Sequence, residues 1–398
     1  MKLPLSVTRC LLPALLLGLW LASPVQAQRR PQLAIGTWNL EFLGAPANLR
    51  NDTPPRTDAD LAAIGQKVKQ LGVAVLAVQE VSGEAPLQQV TASIGRNWTF
   101  VLGTTGGWDD GKTAQNIGFL YDNTVVELLS AEELLAFPRQ QEGVPIFHRV
   151  PVTACFKVRA TGFDFRMVTV HLKAGQKTQD EQKRRLEATI LHDWIKKLQA
   201  TPGEDQDIVV LGDFNSTYGT EPETVLEDGN MMHYLEPKAK TPTIMHFPEP
   251  IDQIVVAPAF DELNADSFTV HGDLGGLDKN AWRKIYSDHF PVTATITANS
   301  DGDPTATFTH GPAEQSLPAS HRPAAMGAPP ANGAPAAKTA AWPPQVGALI
   351  SILDVRGVVT VGKLARPLPE GPGGWIVLET DDGTTAFQIA QIIWVAVR

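Results

Sequence analysis

Six short apolar runs in this sequence begin or end at an acid, an amide or an imidazole, and this arrangement constrains the fold more than any other feature. Ile35-Gly36-Thr37-Trp38 ends in Asn39, and the run 75–78 ends in Gln79-Glu80. Val168-Thr169-Val170 delivers His171, and Val209-Val210-Leu211 delivers Gly212-Asp213-Phe214-Asn215. Ile251-Asp252 opens Ile254-Val255-Val256, and Ser287-Asp288-His289 opens the run 290–296. Nearly continuous apolar runs such as 33–35, 73–78, 117–121, 167–172, 208–211 and 254–256 read as strands buried on both faces. Strands hold the side chains at their ends rigidly, and such ends converge at one rim of a sheet.

Helical patterns lie between the runs. In residues 60–71, Leu61, Ile64, Val68 and Leu71 share a face and Gly72 closes the helix. In residues 178–199, Leu186, Ile190, Trp194 and Leu198 form the apolar stripe. Strands and helices alternate irregularly, and residues 150–172 read as an antiparallel pair. This favours an α/β domain with mixed sheets over a strictly wound βαβ array. The domain is expected over residues 28–298.

Beyond it the composition changes. Residues 299–344 form an Ala/Pro/Gly-rich linker, densest over 321–341, that cannot build a core. Residues 345–398 regain strand character, with a hairpin turn at Asp381-Asp382-Gly383 and a strand over 392–397. A small all-β, barrel-like module is expected there.

The N-terminus has its own character. Lys2 and Arg9 precede or flank an apolar run, 11–21, that is short for a bilayer, and Val25-Gln26-Ala27 offers small residues for cleavage. Residues 1–27 read as a signal peptide, so a secreted or periplasmic protein without stable membrane insertion is expected. Removing that segment takes two of the 33 basic residues and none of the 43 acidic ones, which makes the net charge of −10 more negative still. Global charge therefore does not attract a polyanion, and a substrate of that kind must be gripped locally. Cys10 leaves with the signal peptide, and Cys155 lies alone in an alternating run as a buried, inert thiol.

Taken singly, each polar residue has a plain structural reading. Asn39 suits a turn, Asp213 and Asn215 an Asx-turn, and His171 a satisfied rim histidine. Acids, amides and two histidines together at six strand ends are instead the inventory for a hard divalent cation and general acid–base work. In this order, Thr37-Trp38-Asn39, Val78-Gln79-Glu80, Val170-His171-Leu172, Gly212-Asp213-Phe214-Asn215, Ile251-Asp252 and Ser287-Asp288-His289 resemble the endonuclease/exonuclease/phosphatase superfamily.

That resemblance implies a four-layer α/β sandwich with two mixed β-sheets and a site at one end. It implies a metal-dependent phosphodiester hydrolase, with Glu80 as principal metal ligand and Asn39 and Asp288 nearby. Asp213 and Asn215 would orient the attacking water and the phosphate, and His171 and His289 would flank the phosphorus. Asp252 would hold His289 in its working tautomer. Mg²⁺ suits such a site, and Mn²⁺ fits almost as well. Which of Asp213 and His289 takes the water's proton stays open.

Asn116, Arg149 and Lys173 are further candidates for contact with substrate, with a structural ion pair an equal reading for Arg149. Lys183-Arg184-Arg185 reads as a solvated helix face more readily than a nucleic-acid contact. The leading expectation is a nuclease acting on DNA, RNA or both. The alternatives are a sphingomyelinase-like enzyme for a lipid or small phosphorylated molecule, and a non-catalytic binding protein on the same scaffold. A lipid enzyme would want an exposed apolar hairpin, whereas residues 271–286 are mostly polar apart from Trp282 and Tyr286.

Overall fold

The computed structural model describes residues 32–45, 55–106, 114–141, 143–217, 219–220, 223–235 and 241–298, and the strands 315–316, 349–354, 359–364, 375–380, 383–388 and 392–397. The segment 1–27, expected to be a signal peptide, lies outside the described residues, as does the expected linker 299–344 apart from 315–316.

In chain order the first sheet and its helices begin with β1 (Gln32–Leu43), α1 (Asp58–Leu71), β2 (Val73–Val81), α2 (Glu84–Ile94), β3 (Trp98–Leu102) and β4 (Asn116–Asp122). The second sheet follows with β5 (Val126–Glu133), the two-residue strands β6 (Gln140–Gln141) and β7 (Val144–Pro145), β8 (Val152–Val158), β9 (Asp164–His171), α3 (Thr178–Gln199) and β10 (Ile208–Asp213). Then come α4 (Glu223–Glu227), β11 (His233–Tyr234), β12 (Asp252–Val256), β13 (Leu263–Val270), α5 (Lys279–Ile285) and β14 (Val292–Thr297).

The first sheet has the order β13-β14-β1-β2-β4-β3, and the second runs β11-β12-β10-β9-β8-β5, with Gln315–Ser316 added at the β5 edge. Both are mixed: β1 is parallel to β2 and β9 to β10, while the other neighbouring strands in these two sheets run antiparallel. The β8–β9 hairpin is the antiparallel pair expected over 150–172.

Three apolar clusters make four layers. Ile35, Val75, Phe119, Phe156, Met167 and Leu211 pack between the sheets. Trp38, Leu76 and Val78 meet Leu61, Ile64, Val68 and Val90 of α1 and α2 on one outer face. Val168, Val170 and Val210 meet Leu191 and Ile195 of α3 on the other. Helix α1 starts as its sequence dictates, with Thr57 and Asp60 capping each other's backbone, and ends on Gly72 at φ 67°.

The stripe expected for α3 is corrected by one position. Leu186, Ile190 and Trp194 are only partly buried, and the buried face carries Arg184, Glu187, Ala188, Leu191, Ile195 and Leu198. Two charged residues can face inward because backbone groups satisfy them. Glu187 accepts from the N–H of Phe147 at 2.9 Å and of Lys173 at 2.9 Å, and Arg184 donates to the carbonyls of Lys173 at 2.8 Å and Gly175 at 2.7 Å.

The C-terminal strands Leu349–Asp354, Val359–Leu364, Trp375–Thr380, Gly383–Gln388 and Ile392–Val397 form one antiparallel sheet. Thr380 stands opposite Gly383 across the expected hairpin, whose turn residues 381–382 lie outside the described residues. The barrel-like expectation is not met: the first C-terminal strand takes the last as its outer neighbour, and among the described residues no pairing joins the last strand to Gly383–Gln388. Cys155 is buried, and burial pushes its thiol up to about 11, so it is inert as expected.

Gly212 marks where the second sheet is tightest. It sits opposite Val170 at φ 150°, and an added Cβ would stand 2.0 Å from the Val170 carbonyl oxygen. Gly212→Ala is expected to lower unfolding free energy by about 2 kcal/mol or more in urea titration. A loss below about 0.5 kcal/mol would contradict so close an approach.

Candidate active site

The site grows out of the alternation of the strands. In β1, Leu33 and Ile35 face the inter-sheet core, and Thr37 and Asn39 continue that parity. Met167 and then Thr169 and His171 do the same in β9, Leu211 and then Asp213 in β10, and Ile254 and Asp252 in β12. Register brings three of them side by side, since Asp213 pairs with His171 on one flank and Asp252 on the other. The inter-sheet layer thus changes from apolar to polar at one rim. Glu80 follows the inward Gln79 and belongs by parity to the outer face. Its φ of 59° breaks the alternation and turns it toward Asn39 and the Phe42 N–H.

Asp213 is at the centre. One of its oxygens accepts from the Asn39 amide at 2.9 Å, and the other accepts from the Asn215 N–H at 2.9 Å. The His171 Nε2 lies 3.4 Å and the His289 Nε2 3.8 Å from it. Burial pushes the Asp213 carboxyl up to about 7, with Asp252 adding to the rise and His289 opposing it. Burial and then the Asp288 charge likewise raise Glu80, whose Oε1 is 3.7 Å from the His171 Nε2.

The two histidines are driven apart. His289 Nδ1 and Asp252 Oδ2 are 2.9 Å apart and both residues are buried. Burial opposes a charge on His289, yet Asp252, its hydrogen bond, Asp213 and Asp288 together hold it well above the usual imidazole range. Burial, Arg149 and His289 hold His171 well below that range. A neutral His171 offers Nε2–H to the carboxylates, while its Nδ1 is buried without a partner.

The sequence model of the Endonuclease/Exonuclease/phosphatase family matches residues 36–289. The chain belongs to this family. Its members are hydrolases of phosphoester bonds and depend on a divalent metal. An endonuclease/exonuclease/phosphatase structure from Bacteroides vulgatus shares 21% identity over 67% of this chain and 98% of its own, with a TM-score of 0.50. A mannosyl-6-phosphatase from Bacteroides thetaiotaomicron shares 18% over 66% and 98%, with a TM-score of 0.47. A TDP2 from D. rerio complexed with single-strand DNA product shares 18% over 66% and 98%, with a TM-score of 0.43. Among curated proteins the chain has no match. The likeness to the Bacteroides vulgatus structure shows the fold alone.

The residues present fit a hard cation of the kind the family uses. Burial and the Asp288 charge keep Glu80 raised although His289 and Arg149 oppose the rise. Asp288 Oδ1 is buried with no hydrogen-bond partner among the described residues, the His289 Nε2 standing 3.9 Å away. Asp213, Asp252 and His289 also bring ligand atoms within 4.8 Å of one another. A metal there would compete with the Asp252 hydrogen bond, and a protonated imidazole does not ligate. The Glu80–Asp288 pair is therefore the better-suited holder.

Asn39, expected among the metal ligands, lies against Asp213 and Glu80 at this rim. Its oxygen accepts from the Glu41 N–H at 3.0 Å, so its NH₂ is what faces Asp213 and Glu80. It steadies the carboxylates as a donor. The basic residues expected near phosphate are engaged otherwise. Arg149 donates to the carbonyls of His171 at 3.0 Å and Leu172 at 2.9 Å and to Gln115 at 2.7 Å, which fixes the end of β9. Lys173 is paired with Asp180 at 3.0 Å and bonds to the Ala174 carbonyl. Asn116 accepts from the Gly106 N–H at 3.0 Å and braces a loop. Within Lys183-Arg184-Arg185, Arg184 turns inward while Arg185 is exposed.

Several positioning residues carried no role in the sequence reading. Gln79 links Thr37 at 3.0 Å to Thr169 at 3.0 Å and so ties one sheet to the other. Ser287 donates to the Asn39 carbonyl at 2.7 Å and accepts from the His289 N–H at 3.0 Å. The Thr243 hydroxyl accepts from the N–H groups of Ile251 and Asp252, both at 3.0 Å. Glu41 is clamped by Arg56 at 3.1 Å and Arg283 at 2.6 Å and accepts the Asp288 N–H at 3.1 Å. Thr37, Gln79 and Thr169 were findable from their inward parity, whereas Glu41 and Arg283 are 242 residues apart and left no local signal.

In metal-free protein at pH 7, His289 is expected to be protonated and His171 neutral. Asp252→Asn removes the adjacent negative charge and should lower the His289 titration by about one pH unit or more, read from imidazole shifts by NMR. The linked stability follows in sign. The pair's contribution is full below the unfolded-state value of about 6.5 and is lost as pH rises through the raised folded value. An unshifted His289 titration in Asp252→Asn would contradict the pairing.

Proposed function

We propose that this chain is an exported, divalent-metal-dependent nuclease that hydrolyses phosphodiester bonds of DNA or RNA by in-line attack of water. The observation that carries the reading is the charged His289–Asp252 pair facing Asp213, with the Glu80–Asp288 pair beside it at the same rim. A bound Mg²⁺ or Mn²⁺ held by Glu80 and Asp288 would supply Lewis-acid stabilisation of the phosphate oxygens.

The chain's own groups divide the remaining work. His289, kept positive by Asp252, donates from Nε2 to a phosphate oxygen where negative charge develops. That charge develops as the new bond to water forms and the P–O bond to the leaving oxygen breaks, the leaving oxygen taking its proton from solvent. Asp213, pushed up to about 7, sits between the two histidines and suits the acceptance of the attacking water's proton. Neutral His171 flanks the phosphate on the other side, its Nε2–H directed at Asp213 and Glu80. Asn39 and the Asn215 N–H keep Asp213 oriented throughout.

A diester is favoured over a dianionic monoester. Glu80, Asp213 and Asp288 repel extra charge, and Arg149 and Lys173 are already engaged with carbonyls and with Asp180. Among the described residues, the segment where the lipid reading would want an exposed apolar hairpin does not provide one. Residues 279–285 form α5, and Trp282 is buried against Tyr286 and Phe290. A binding-only scaffold would have no use for all six polar strand ends. Export rests on the N-terminal apolar segment of the sequence.

The test is hydrolysis of plasmid DNA, RNA, sphingomyelin and bis(p-nitrophenyl) phosphate with Mg²⁺ or Mn²⁺. The nucleic acids and the simple diester should be cleaved, and EDTA should abolish activity. Glu80→Gln keeps the shape and removes a charge that burial already disfavours in metal-free protein. It should fold at least as well as the parent and lose about a hundredfold or more in turnover. Near-parental rates for Glu80→Gln at limiting Mg²⁺ would overturn the assignment.

A further inference from the structure

A cleft of about 940 Å³ opens directly beside Asn215 and has no part in the chemistry described above. It lies between the start of α3, the segment that follows Asn215, and the loop carrying Ile244 and Phe247. Two lining residues have an unusual property. Ser216 is 7% exposed and Arg184 5% exposed, and each carries a buried side-chain atom with no hydrogen-bond partner, the Ser216 Oγ and the Arg184 Nε. Buried polar atoms are nearly always paired, because leaving one unpaired costs about 1–3 kcal/mol.

The rest of the lining agrees in kind. Thr217 and Thr220 add hydroxyls, Gln176 adds an amide, and Phe247 is a half-buried ring. Arg184 spends one terminal nitrogen on the carbonyls of Lys173 and Gly175, which fixes its guanidinium in place. The single acid of the lining, Glu181, is exposed. A fixed guanidinium with hydroxyl donors is a donor set for a tetrahedral oxyanion.

We propose that this cleft is a second phosphate subsite, which holds the phosphate next to the one being cleaved. This rests on the nuclease reading and narrows it: the substrate is a polynucleotide with phosphates in series, not an isolated diester. Contiguity carries the assignment. Asn215 belongs both to the catalytic rim and to the cleft, and the Cα of Ser216 is about 3.8 Å further along the chain. That spacing is within the reach of one nucleotide step. Phe247 offers a surface on which the intervening base can stack.

Ser216→Ala is the suitable variant, because deleting an unpaired buried hydroxyl is neutral or stabilising to the fold. The substrates are the dinucleotide TpT and its 5′-phosphorylated and 3′-phosphorylated forms. Two readouts are taken: kcat/KM with Mg²⁺, and equilibrium binding in EDTA. The parent protein should favour one phosphorylated form over TpT by about tenfold, the value of a hydrogen bond to a charged group. Ser216→Ala should lose most of that preference, keep its rate on TpT within about twofold, and melt at the parental temperature or above. Equal treatment of all three dinucleotides by the parent overturns the subsite, as does a preference that survives in Ser216→Ala. If no dinucleotide or simple diester is hydrolysed, the nuclease reading fails separately, and the binding readout still decides for or against the subsite.

Discussion

Four carboxylates, Glu80, Asp213, Asp252 and Asp288, are drawn together at one end of a two-sheet sandwich, and the organisation of that end answers their mutual repulsion. Among the described residues only His289 is held as a counter-charge within hydrogen-bonding reach of one of them. The rest of the compensation is dipolar: the Asn39 amide, and the N–H groups of Phe42 and Asn215. It is incomplete, so Glu80 and Asp213 are pushed up. A rim that under-compensates its anions suits a divalent cation, and the metal dependence of the family follows from the same imbalance.

Holding such a rim requires rigidity below it. The Thr37–Gln79–Thr169 link crosses between the sheets one step beneath the carboxylates, where a buried polar chain is fully satisfied. Ser287 and Thr243 fix the two segments that supply His289 and Asp252. Arg149, Arg184 and Glu187 saturate the backbone around the end of β9 and the loop that follows it. Charged residues thus serve here as scaffolding for an acidic site, and the phosphate being cleaved must find its donors elsewhere, while Arg184 keeps its Nε uncommitted for the neighbouring cleft.

Much of this was legible in the sequence. The polar residues that begin or end the apolar runs are the ones the strands gather, and period-two parity with Ile35, Met167, Leu211 and Ile254 places four of them in the inter-sheet layer. What stayed hidden depends on distant partners. The Leu186, Ile190 and Trp194 stripe misjudged α3, because nothing local tells that Glu187 and Arg184 meet backbone groups of residues 147 and 173–175. Arg149 and Lys173 lie at the rim as expected, but carbonyls and Asp180 take their donors. Asn39 has the right residue type in the right place, and the Glu41 N–H decides which end of its amide faces inward.

The claim on which the rest hangs is that Asp252 and His289 act as one unit in phosphodiester hydrolysis. A double-mutant cycle on turnover, with Asp252→Asn, His289→Ala and the double variant assayed on the same diester under saturating Mg²⁺, tests it most directly. The expected result is strong non-additivity, with the double variant no slower than His289→Ala by more than about twofold. Losses that multiply independently in the double variant would show that the 2.9 Å pair has no joint part in the chemistry.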